Sequence, residues 1–141
     1  MNARRNRNLL LLATVLALSH FGVVVWHLQL LVGVQPETPK FALMLLIGVN
    51  LIPVMGLVAF AKGHPTLAGW MIILPFGVAL AIGGYTHFLS TSTDNVFRMP
   101  SQPWRVPFQV SAVLLALLEA LSCWVAVRML SASRSGQAVD S

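Results

Sequence analysis

The sequence predicts an all-α fold, an antiparallel bundle of four transmembrane helices with both termini cytoplasmic. Three observations carry that expectation. Hydrophobic residues make up 57% of the 141 and charged residues only 9%, whereas an ordinary soluble domain is about 25% charged. Four apolar runs reach the roughly 20 residues that a helix needs to cross hydrocarbon. These runs are continuous rather than alternating, unlike the strands of a membrane barrel.

The elements follow in order. Residues 1–8, MNARRNRN, form a basic polar tail. The first helix is expected at about 9–33, because no Asp, Glu, Lys or Arg interrupts Leu9–Val34. The second is expected at 41–61, bounded by the proline-bearing links QPETPK and KGHP. The third is expected at 66–89, and the fourth, with Glu119 the single charge between Val106 and Val127, at 107–130. Residues 90–106 form the long loop, where Asp94-Asn95 reads as a turn and Pro100, Pro103 and Pro107 oppose a regular helix. Residues 131–141 read as a disordered, solvated tail.

Short links make sequential helices antiparallel neighbours, so four helices place both termini on one side. That side carries Arg4, Arg5, Arg7, Lys62, Arg128 and Arg134, against Lys40, Arg98 and Arg105 on the other. The excess marks the terminal side as cytoplasmic and suggests a bacterial inner membrane. Trp26, Tyr85 and Trp104 then fall near the outer interface, where amphipathic aromatics are enriched. The arginines, the Leu9–Leu16 core and Ala17-x-Ser19 also resemble a signal peptide cut before His20. Because the apolar run continues to Val34, an uncleaved anchor is the expected state.

Composition removes several classes of function. The net charge of +5 comes from termini and loops rather than from a basic face interleaved with aromatics, so no nucleic acid is expected. A single cysteine, Cys123, excludes an internal disulfide and a CxxC pair. No HExxH, GxGxxG, phosphate-loop or GxSxG motif is present.

What remains is a set of polar residues at membrane depth. Counted at about 1.5 Å per residue from each helix centre, His20, Asn50 and Glu119 all reach the midplane. An acidic group there costs about 2.5–3.5 kcal/mol on insertion scales, unless it faces the bundle interior, is neutral, or pairs. Glu119 is therefore expected to face His20, Asn50 or both, as a proton- or substrate-binding site. His27 lies two turns from His20 on the same face, roughly 9 Å outward, and His87 roughly 14 Å outward on the third helix. These two form the one plausible axial pair for a haem or a metal. Asp94, Arg98, Trp104 and Arg105 are the candidate contacts of the outer loop.

The function expected first is the handling of an ion, proton or small molecule at the midplane site. The alternatives are an accessory subunit or assembly factor without catalysis, a haem or metal protein using His27 and His87, and a membrane enzyme acting on a lipid or quinone. The expected partners are the lipid bilayer and a membrane-protein partner or a second copy of the chain.

Overall fold

The computed structural model describes residues 3–34, 40–91 and 94–137. Residues 1–2, most of the 35–40 link, residues 92–93 of the loop and the last four of the tail lie outside the described residues. The described chain is helical, with α1 at Ala3–Val34, α2 at Lys40–Ala61, α3 at Pro65–Gly84 and α4 at Arg105–Gln137. A π-helical turn, Tyr85–Leu89, closes α3. Among the described residues there is no strand.

Three helical segments are long and apolar enough to cross a membrane: Arg4–Leu31, Pro65–Leu89 and Arg105–Ser131. The described side chains of α2 add the shorter apolar stretch Ile47–Ala61. Large apolar side chains cover the exterior, among them Leu18, Leu51, Leu74, Leu89, Val106 and Leu117. Lipid is the solvent that makes such a surface favourable.

Two helices run past their expected limits. α1 begins within the arginine-rich tail, and α4 continues to Gln137, so residues 131–137 are helical rather than a disordered tail. Neither extension contains a proline, and the polar backbone of a helix end needs no lipid once it reaches water. Ser131 uses its hydroxyl on the carbonyl of Val127, 2.9 Å away, one turn back.

Each helix packs on the next, and α4 returns against α1 to close the ring. The pairing is antiparallel throughout. His20 and His27 of α1 meet Glu119 and Ser111 of α4 in descending order, and Cys123 of α4 lies against Ile73 of α3. Helix association in lipid depends on close packing rather than on a hydrophobic drive between helices. Two glycines provide it. A methyl group on Gly69 would stand 2.6 Å from Leu130 Cγ, and one on Gly56 would stand 3.1 Å from Ile72 Cγ1. Gly77 and Gly84, by contrast, meet nothing within 4 Å.

The turn between α2 and α3 follows from its residues. Gly63 adopts φ +85°, and the amides of Gly63 and His64 bond back to the carbonyls of Phe60 and Ala59. That is a Schellman ending, which wants glycine at this position. Pro65 then starts α3, where a missing amide proton is harmless.

The core divides into two parts. The half near the termini is packed with Ala13, Leu16, Phe76, Val125, Ala126 and Met129. At the other end, Val96 and Met99 of the loop fold down on Phe108 and Ala112. Between these two apolar plugs lie the buried polar residues.

Candidate functional site

α1 supplies His20 at the centre of the bundle, with no exposed surface. Its ring has an oxygen at each nitrogen. Nδ1 lies 3.2 Å from Asn50 Oδ1 on α2, and Nε2 lies 3.3 Å from Glu119 Oε1 on α4. Phe76 of α3 closes the fourth side, its ring edge-on to the imidazole at 4.8 Å. Four helices therefore meet at one histidine. The depth count from sequence brings together the same three polar residues, and Glu119 takes the side facing His20.

The geometry constrains the protons. A neutral imidazole has one N–H, yet both ring nitrogens face oxygens. With the Asn50 oxygen as the atom that faces Nδ1, two arrangements satisfy both contacts. Either the ring is doubly protonated and Glu119 is a carboxylate, or the ring donates only to Asn50 and a neutral Glu119 donates to Nε2. In each case the pair carries the same net charge and holds one transferable proton.

Seven residues along α1, His27 is also buried, at 5% exposure. Its Nδ1 lies 2.8 Å from the Ser111 hydroxyl, which also lies 2.8 Å from the Phe108 carbonyl one turn back. With the hydroxyl proton directed at that carbonyl, His27 donates from Nδ1 and Nε2 carries a bare lone pair. That Nε2 is buried and has no hydrogen-bond partner among the described residues. Leaving a buried polar atom unpaired costs about 1–3 kcal/mol. Native proteins therefore keep few such atoms, and each invites an explanation.

His87 meets His27 from the π-helical turn, with ring centroids 4.9 Å apart and edge to face. The turn arises where the pair Gly83-Gly84 and two hydroxyls loosen the helix. Thr86 bonds to the carbonyls of Ile82 and Gly83, and Ser90 bonds to that of Thr86. The Ser90 amide then reaches five residues back to Tyr85. Such turns occur often at functional sites because one extra residue redirects a side chain. Nothing in the sequence pattern announced this one. His87 donates from Nδ1 to the Asp94 carbonyl at 3.2 Å, and the Asp94 carboxylate lies 3.6 Å from the same nitrogen.

These groups line one cavity of about 320 Å³ among the four helices. His20, Asn50 and Glu119 form its floor, and His27, His87 and Asp94 stand toward the loop end. Val24, Leu28, Val49, Ala79 and Leu115 supply apolar walls between the two groups. On the other side of the floor a void of about 10 Å³ lies beside Ser122, at the limit of what one water needs.

The other sequence candidates separate. Asp94 joins the cavity. Arg98 is exposed, Trp104 packs on the loop-end core, and Arg105 is half-buried at the start of α4. Asn95 escaped sequence reasoning. It is 2% exposed, donates to the Ser90 carbonyl at 2.7 Å and accepts from the Phe97 amide at 2.9 Å, so it fastens the loop to the π-helical turn. An Asp-Asn turn signal was its only trace in the sequence.

The residues do not fit a haem. Axial histidines stand on opposite faces of a macrocycle, whereas His27 and His87 touch each other, and Phe108 packs against both, at 4.5 and 5.5 Å. Among the described residues no group of three or more His, Cys, Asp or Glu side chains is placed to hold a metal ion. No protein-family model, curated protein or solved structure shows significant similarity to this chain.

Proposed function

We propose that this chain handles a small molecule or ion in the cavity between its helices, exchanging a proton with it at His20, Glu119 and Asn50. The single observation that carries the reading is a cavity of about 320 Å³ between the helices that reaches a buried histidine–glutamate pair. Ligand sites are concave and mostly apolar, with a few convergent polar groups, and span about 300–1,000 Å³. Ionisable residues at membrane depth are functional sites by default, because their burial is expensive. Histidine suits proton exchange, since its ordinary titration lies near neutral pH. Six basic residues on the terminal side against three on the other support cytoplasmic termini in an inner membrane. His27, His87 and Asp94 of the cavity lining then lie toward the outer side.

The test is infrared difference spectroscopy after pH steps, on the full chain in nanodiscs. The wild type is expected to give a carboxyl C=O band that changes with pH and shifts in D₂O. Glu119→Gln is expected to lose that band while keeping its helical content. Identical difference spectra from the two proteins would overturn the reading.

A further inference from the structure

The cavity's polar groups have one chemical character. Glu119 and Asp94 bring two carboxylates, one at each end. His27 presents a buried Nε2 with no partner among the described residues. His87 donates from Nδ1 to the Asp94 carbonyl, beside the Asp94 carboxylate at 3.6 Å. Among the described residues that line the cavity there is no lysine or arginine. Both ends therefore accept hydrogen bonds and favour positive charge, while the walls between them are apolar. The seven residues from His20 to His27 separate the ends by about 10 Å.

We infer that the ligand is an elongated amphiphile with an ammonium group at the floor, an apolar chain along the walls, and a second hydrogen-bond donor at His27. This rests on the proton-exchange reading and adds the ligand's chemical class to it. The ammonium donates to the Glu119 carboxylate. The proton that Glu119 and His20 held between them leaves to water, so one cation enters as one proton departs and the charge of the site stays balanced. The titratable groups that face this exchange are His20 and His27 from α1, His87 from the end of α3, Glu119 and Cys123 from α4, and Asp94 from the loop. The described part of α2 contributes none. At the other end, the ligand's hydroxyl or amine satisfies His27 Nε2. A carboxylate or phosphate ligand would meet the carboxyl groups of Glu119 and Asp94, and no lysine or arginine among the described residues that line the cavity.

Calorimetric titration of the full chain in nanodiscs, corrected with empty nanodiscs, tests this. The probes are straight-chain ω-amino alcohols of increasing length, with alkylamines and fatty acids as controls. Saturable binding is expected to peak at the amino alcohol that spans about 10 Å. It should exceed the matching alkylamine by roughly tenfold, the worth of one good hydrogen bond. His27→Phe should erase that advantage, and Ser111 keeps its bond to the Phe108 carbonyl in that variant. Two buffers of different ionisation enthalpy should reveal about one proton released per ammonium, and Glu119→Gln should lose both the release and the affinity. Fatty acids binding as well as amines, no length optimum, or no saturable binding would overturn the ligand class. Ammonium binding without proton release would instead overturn the exchange reading and leave the ligand class standing.

Discussion

His20 Nε2 and Glu119 Oε1 lie 3.3 Å apart in the middle of the bundle, although 99 positions separate them in the chain. The contact ties α1 to α4, the pair that closes the ring. In a water-filled site it would be a weak ion pair. Here the alternative to pairing is an unsatisfied group in hydrocarbon, so the fold depends on both partners. Glu119→Gln keeps an oxygen and adds a donor, and it is expected to fold with a melting temperature close to wild type. Glu119→Ala strands the His20 nitrogen and should cost about 1–3 kcal/mol. Reversible unfolding of both variants in mixed micelles measures the difference. Equal stability would show that the pair contributes nothing to the fold.

The glycines offer a second test, because their environments are opposite. Gly69→Ala drives a methyl into Leu130 and within 3.2 Å of the Ala126 carbonyl. Forcing α3 from α4 is expected to cost about 1–3 kcal/mol. Leu130→Ala in the same chain should recover part of that loss, since it empties the space the methyl needs. Gly77→Ala meets nothing within 4 Å and is expected to be neutral, or to stabilise by up to about 1 kcal/mol through helix propensity. The same unfolding assay ranks all three.

The contrast between these glycines shows what was legible in the sequence. Helix number and approximate span followed from run length, because hydrocarbon thickness is a single fixed quantity. The meeting of His20, Asn50 and Glu119 was legible for the same reason. Depth is one coordinate, and polar groups at one depth have few other places to go. Rotation about each helix axis is a second coordinate, and it was not legible. With apolar residues on all sides of each helix, nothing in the pattern distinguished Gly69, pressed on Leu130, from Gly77 in the open. The π-helical turn escaped because its cause is local competition for carbonyls by Thr86 and Ser90, which periodicity cannot register. It brings His87 into contact with His27, and so turns the expected axial pair into two touching rings.

The proposed outward placement of the 90–106 loop predicts one-sided chemistry. In a Cys123→Ser background, Ala116→Cys on the cavity wall should react with a membrane-impermeant thiol reagent added from the side of the 90–106 loop. Ala126→Cys, fully buried below the floor, should stay unlabelled from either side. Sealed vesicles of known orientation make the measurement, and they also locate the termini. Labelling of Ala116→Cys only from the side of the termini would place the opening at the wrong end.

Asn95 gives the last prediction. Its amide bridges Ser90 and Phe97 within a loop whose Val96 and Met99 pack with Phe108 and Ala112. The Val96 amide also bonds to the His87 carbonyl, so the loop and the π-helical turn hold each other. Asn95→Ala removes two side-chain bonds from a residue that is almost fully buried, and should cost about 1–3 kcal/mol locally. Because the loss falls on a peripheral unit, local opening should rise while the helices keep their protection. Hydrogen exchange is expected to accelerate at 94–99 and 85–90, with Leu16–His20 and Ala116–Ala120 unchanged. The rings of His27 and His87 should then lose their fixed edge-to-face contact, readable as altered imidazole resonances. Unchanged exchange at 94–99 would mean that Val96 and Met99 anchor the loop by packing alone, and that Asn95 is dispensable.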